Sequence, residues 1–173
     1  MRSAIAMVAC AAVLALIDFS IAGKERHLES GRVVYLELAP VDPRSLMQGD
    51  YMALRFRIAN DAQPAMPRSD SPGRRGFWSG DLATADGRIV AALDARSVAT
   101  FRRLDDRTPP AADEILLRYR VREGTLKFAT NAYFFQEGTG RRFERARYGE
   151  FRVARDGEVL LTGLRGAELE LLK

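Results

Sequence analysis

Three carboxylates stand at turns close to aromatic residues: Asp42 in Pro40-Val41-Asp42-Pro43, Asp50 in Gly49-Asp50-Tyr51, and Glu137 at the end of Tyr133-Phe134-Phe135-Gln136-Glu137-Gly138. Two carboxyl groups with separated pKa values could serve as acid and base on a glycan, and three could gather around Ca²⁺. The alternative is architectural, since Asp beside Gly or Pro ordinarily accepts hydrogen bonds from turn amides and Tyr51 can cover a core edge. As a recognition surface, Asp42, Gly49, Asp50, Tyr51, Tyr133, Glu137 and Gly138 would form a mixed aromatic and acidic patch suited to a protein partner. The two blocks lie about 80 residues apart in the sequence, a separation that antiparallel strands routinely close. They could equally be two unrelated turns at opposite ends of a domain. No catalytic residue and no metal ligand is assigned.

Other chemistries lack their residues. His27 is the only histidine and Cys10 the only cysteine, so Ser-His-Asp catalysis, histidine–cysteine zinc ligation and an intrachain disulfide are hard to build or impossible. No cofactor is expected. Ser45-Leu46-Met47-Gln48-Gly49-Asp50 faintly resembles the serine–methionine–glycine–aspartate stretch of type I signal peptidases. Lys127 is the one plausible base for such a serine, which stands too close to Gly49 for the familiar spacing. Net charge is +4, with 24 Arg against 3 Lys. Nucleic-acid binders concentrate such charge on one face. Here Arg55, Arg57, Arg118, Arg120 and Arg122 are spread over outward strand positions, and no nucleic-acid partner is expected.

The remaining residues must position these groups. The 47% hydrophobic and 29% charged content is that of a folded chain. Val34, Leu36 and Leu38 alternate with polar neighbours, which predicts a strand over Val33–Leu38. Met52, Leu54, Phe56 and Ile58 alternate with Tyr51, Ala53, Arg55 and Arg57, which predicts a second over Tyr51–Ile58. Pro40 and Pro43 force a corner between them. Asn60–Gly76 reads as a loop, and Phe77–Ala83 as a strand. Asp86-Gly87 predicts a hairpin returning along Arg88–Asp94, with another strand over Ser97–Leu104. Ile115–Val121 turns at Glu123-Gly124 into Thr125–Thr130. Gly140–Tyr148 reads as a short helix. Glu150–Ala154 and Glu158–Leu164 form a last hairpin at Asp156-Gly157, and Gly166–Leu172 closes with Leu169 and Leu171 on one side. The sum is a mainly β fold, an antiparallel sandwich or barrel of about nine short strands with one short helix.

Ahead of this domain, Ala4–Ala22 carries nineteen residues with one charge, Asp18. An apolar run of about 20 residues can span a bilayer. It reads as an uncleaved N-terminal transmembrane helix or, with Ser20-Ile21-Ala22 as a small-x-small site, as a cleaved signal peptide. A buried helix of a soluble domain is a third reading, disfavoured because the segment is apolar all round. Residues 1–23 form the anchor or signal and 24–173 the β domain, with Lys24–Arg32 a charged connector. Flanking basic residues, Arg2 on one side and Lys24 and Arg26 on the other, leave orientation open.

LELAPVDPRSLMQGDYMALRF, then YFFQEGTG, then RVARDGEVLLTGL stand in that order. The chain resembles the GDYxxLxY family in this arrangement, from Lys24 nearly to its end. The last motif position departs from the family name, with Phe56 in place of Tyr. The resemblance implies a single-span protein of the inner membrane whose C-terminal domain lies outside the cytoplasm, in the periplasm. It favours the anchor over the cleaved, periplasmic form, and implies a multispanning membrane protein as partner. It carries no assigned activity. The expected function is therefore a membrane-anchored, non-enzymatic binding domain, with carboxylate enzymology or Ca²⁺ binding through Asp42, Asp50 and Glu137 as the alternative.

Overall fold

Alternation of apolar and polar residues sets most of the elements in the computed structural model, which describes residues 2–39, 47–48, 51–68 and 82–172. Helix α1 (Arg2–Ser30) leads into strand β1 (Arg32–Glu37). Then follow β2 (Met47–Gln48), β3 (Tyr51–Ala53), helix α2 (Arg57–Ala62), β4 (Ala85–Leu93), β5 (Ala99–Leu104) and β6 (Glu114–Arg122). The chain ends with β7 (Thr125–Lys127), β8 (Ala132–Phe134), β9 (Tyr148–Val153) and β10 (Val159–Arg165). Three antiparallel sheets result, in the orders β1-β9-β10, β2-β3-β8 and β5-β4-β6-β7. Isolated bridges Tyr35–Val98 and Leu38–Phe56 tie the first sheet to the other two. The mainly antiparallel β architecture is thus the expected one.

One core serves all three sheets. Val34 and Leu36 of β1, Ile89 of β4, Leu117 of β6, Phe151 of β9 and Leu164 of β10 are completely buried. Removing each such side chain from water contributes about 1.5–3 kcal/mol. The motif stretch feeds the same core, because Met52, Leu54, Phe56 and Ile58 are all buried while Arg55 and Arg57 are exposed.

Several local expectations are corrected. The predicted strand Tyr51–Ile58 ends early, and α2 begins at Arg57. Ile58, Ala59 and Ala62 lie on one helical face and are buried together, so a 3.6-residue period takes over from the period of two. The helix and the 3-10 turn Gln63–Ala65 replace the first part of the expected Asn60–Gly76 loop. The expected strand over Phe77–Ala83 falls largely outside the described residues, though Leu82 bridges to Arg68.

Asp86-Gly87 is no hairpin, because β4 runs straight through both residues. Gly87 lies opposite Tyr119 of β6, and a Cβ there would stand 2.7 Å from the Tyr119 hydroxyl. The glycine gives the tyrosine room instead of turning the chain. The two-residue hairpin turn of this sheet is at Glu123-Gly124, between β6 and β7, both at positive φ (55° and 69°). The short helix expected at Gly140–Tyr148 is the 3-10 turn Gly140–Phe143, after which Tyr148 opens β9. At the C-terminus Leu169 adopts φ 62°, which breaks the alternation. Leu172 is buried instead, and Leu171 is exposed.

Helix α1 runs through Gly23 without a break. Leu16 is 69% and Phe19 73% exposed, and Val13, Leu14, Ile17 and Ile21 are exposed as well, so over residues 9–21 no side of the helix is covered by the domain. Among the residues whose side chains are described, no helix is long and apolar enough to cross a membrane. Residues 4, 5 and 8, which carry part of the Ala4–Ala22 run, stand outside that set.

Candidate functional site

The two sequence blocks meet as neighbouring strands. Strand β3 pairs with β8 in the register Tyr51–Phe134, Met52–Tyr133 and Ala53–Ala132, and the Leu54 N–H extends the contact by donating to the Asn131 carbonyl at 2.7 Å. Opposed residues of an antiparallel pair share a face, and successive residues alternate. The pairing therefore sorts the three consecutive aromatics. Tyr133 and Phe135 turn towards Phe143, with ring centroids 5.2 and 5.4 Å from it. Phe134 turns the other way, beside Tyr51 with ring centroids 5.8 Å apart, and is 74% exposed.

A phenylalanine that far into solvent leaves most of its apolar area uncovered despite its contact with Tyr51. The edge next to it is partly closed. The Thr130 hydroxyl donates to the Ala132 carbonyl at 2.9 Å and accepts from the Ala132 N–H at 3.2 Å, so those backbone groups are satisfied without a further strand.

Of the other sequence candidates, Glu137 and Gly138 sit on the turn that leaves β8. That turn is closed by the Thr139 N–H and hydroxyl, both donating to the Gln136 carbonyl at 3.0 and 2.6 Å. The Glu137 side chain is exposed and makes no ion pair or hydrogen bond among the described residues. Tyr133 belongs to the Phe143 side of the strand pair and so does not share a face with Tyr51. Asp42, Gly49 and Asp50 lie outside the described residues, as does Ser45, so the carboxylate and serine readings have no geometry to stand on. Lys127, the base considered for that serine, lies 3.6 Å from the Glu123 carboxylate. Among the described residues no group of three or more His, Cys, Asp or Glu could hold a metal ion.

The motif itself divides in two. Leu54 and Phe56 are core, and Phe56 packs edge-on to Phe151 with centroids 5.4 Å apart. A tyrosine hydroxyl there would need a buried partner, which explains how phenylalanine can stand at the last motif position. Tyr51 lies at the surface end.

A second organised region joins α1 to the domain, and the sequence gives little hint of it. His27 is buried, and its Nε2 lies 2.9 Å from the Arg152 carbonyl oxygen. That oxygen can only accept, so Nε2 carries the hydrogen. Lys24 pairs with Glu158 at 2.5 Å, and the Arg152 guanidinium donates to the Gly31 carbonyl at 3.2 Å. The sole histidine is thus a fastening between the helix and β9. Elsewhere, Asp86 pairs with Arg122 at 2.8 Å. The hydrogen bond from Arg122 holds the Asp86 carboxyl below its ordinary range and pushes the guanidinium up.

No curated protein and no solved structure matches this sequence. The sequence profile of the GDYXXLXY proteins matches residues 13–164, which takes in the larger part of α1, the motif and the ten described strands up to the last residue of β10 but one. The chain belongs to the GDYXXLXY protein family.

Proposed function

We propose that this protein is a membrane-anchored, non-enzymatic accessory protein. Its α1 is held in the inner membrane by the Ala4–Ala22 run, and its β domain, from residue 24, docks an extracytoplasmic segment of a multispanning membrane protein. The docking surface is the outward side of the β3–β8 pair, centred on Tyr51 and Phe134, with Glu137 at its margin. The observation that carries the reading is Phe134, 74% exposed on the strand that the motif strand selects as its partner. Aromatic side chains supply much of the binding energy when they fill a partner's pocket.

The anchor is supported by the largely apolar stretch 9–21 of α1, whose side chains are exposed on every side of the helix. Nineteen residues at 1.5 Å per residue extend about 28 Å, close to the hydrocarbon thickness of a bilayer. Asp18 lies near one end of the run, where a carboxylate can reach the interface.

Two experiments test the two halves. Alkaline-phosphatase fusions after Leu38 should be active, and the mature chain should retain its first residues. Inactive fusions would reverse the topology, and a mature chain starting at Gly23 would make the segment a cleaved signal. Tagged full-length protein purified from membranes in mild detergent should bring down one multispanning protein, and Phe134→Asp should release it without lowering the melting temperature. Equal recovery by wild type and variant would remove Phe134 from the interface.

A further inference from the structure

A groove of about 790 Å³ opens beside the foot of α1. It forms because β7 is short. Strand β6 pairs with β7 from Arg120 to Arg122 only. At Arg118 the β9–β10 turn takes over, accepting the Arg118 N–H at the Gly157 carbonyl (2.7 Å). Between the exit of β7 and the start of β10 the sheets part, and Lys24 of α1 stands at the rim.

The lining carries more cations than carboxylates, and although Lys24 pairs with Glu158 and Lys127 with Glu123, Arg118 and Arg120 are held only weakly. The lining includes Lys24, Arg88, Arg118, Arg120 and Lys127, against the two carboxylates of Asp86 and Glu158. The strand register sets Arg88 directly opposite Arg118, and Arg120 between Lys127 on one side and Asp86, itself paired with Arg122, on the other. Like charges at opposed positions are destabilising. Arg88 is compensated by Asp105 at 2.8 Å, but Arg118 reaches Asp156 only at 3.5 Å with both side chains over half exposed. Such a pair contributes little. Arg120 makes no ion pair among the described residues, its guanidinium donating to the Ala129 carbonyl at 3.0 Å. Tyr119, which also lines the groove, has a hydroxyl with no hydrogen-bond partner among the described residues and not sealed from solvent. Burial and the nearby Asp86 carboxylate push its phenol up, so it stays a neutral donor. Arg118 and Arg120, on one face of β6 and neither held by a strong carboxylate partner, suit a phosphate.

The height of the groove along α1 says where that phosphate would come from. Lys24 is two residues beyond Ala22, about 3 Å along the helix axis. The headgroup layer is on the order of 5–7 Å thick on each side of the hydrocarbon. If the apolar run spans the membrane, the rim of the groove lies among lipid phosphates.

We propose that this groove binds the phosphate of an anionic phospholipid headgroup, with Arg118 and Arg120 as its donors and Lys24 and Lys127 at its rim. The proposal rests on the anchor reading above, because only that reading puts the groove at headgroup level.

The test uses the full chain reconstituted into nanodiscs of phosphatidylcholine alone or phosphatidylcholine with phosphatidylglycerol. Lipid retained after release into detergent is counted by native mass spectrometry. Wild type should keep phosphatidylglycerol selectively. Arg120→Glu should lower retention tenfold or more, since each basic residue near an anionic surface contributes on the order of fivefold. Arg118→Gln, a milder change at an exposed side chain, should lower it about fivefold. Arg102→Glu on β5, outside the groove, should leave it unchanged, and soluble glycerol phosphate should not compete. A chain that does not enter the nanodisc at all overturns the anchor. A chain that enters but retains phosphatidylglycerol equally in all variants overturns the lipid site. Competition by soluble glycerol phosphate would make the ligand a free phosphate compound and overturn the lipid assignment.

Discussion

Replacing Gly87 by Ala separates two accounts of the same residue. In a type I′ turn, Gly87 would need positive φ, and a Cβ would be strained whatever stood opposite. In the strand that the structure shows, alanine is intrinsically acceptable and the whole cost comes from Tyr119. A Cβ at Gly87 would stand 2.7 Å from the Tyr119 hydroxyl oxygen and 2.9 Å from the ring carbon bearing it. Tyr119 is a buried residue of the core, so its ring can move only by disturbing its neighbours. Overpacking of this kind costs about 1–3 kcal/mol. For a domain of this size that is a fall in Tm of roughly 2–12 °C. The diagnostic step is the double variant. With Tyr119→Leu already in place, Gly87→Ala should be neutral or slightly stabilising, giving a coupling energy of about 1–3 kcal/mol in a thermal or urea unfolding cycle. A Gly87→Ala cost that persists undiminished beside Tyr119→Leu would refute the packing argument and restore the turn.

Two further outcomes follow from the charged groups. The Glu150 carboxylate, nearly buried, accepts from both the Nε and Nη2 of Arg165 and from the Thr162 hydroxyl at 3.0 Å; Glu150→Ala strands the guanidinium and should cost about 3 kcal/mol or more in unfolding free energy, a value under about 1 kcal/mol contradicting the pair's importance. The Asp86 carboxyl should titrate below 3.8 in an NMR experiment and move back up in Arg122→Ala. Because its folded value is depressed, its small contribution to stability is present above 3.8 and lost as pH falls through the depressed value; an unchanged midpoint in the variant would remove Arg122 as the cause.

Burial was more legible in the sequence than backbone path. The alternation from Met52 to Ile58 named every buried residue of that stretch, yet its last member sits on a helix, because Ile58, Ala59 and Ala62 fit a helical face equally well. Short apolar runs do not distinguish the two periods. Asp156-Gly157 and Asp86-Gly87 look alike as dipeptides, and only the first turns the chain; what decides is Tyr119, 32 residues further on. At the candidate surface, three successive aromatics imply that one ring departs from its neighbours, but which one depends on the register with β3. His27 was read as a residue excluding certain chemistries. Its role as a fastening of α1 to β9 depends on a carbonyl 125 positions away, which no local pattern encodes.

The most direct test of the proposed docking surface is a photo-crosslinking amino acid placed at Phe134 in the full-length chain, irradiated in intact membranes and read by mass spectrometry of the adducts. It should capture an extracytoplasmic segment of a multispanning membrane protein, whereas the same probe at Arg103, on β5 in another sheet, should not. Adducts at Phe134 only with lipid or with further copies of this chain, or equal capture from both positions, would contradict the account.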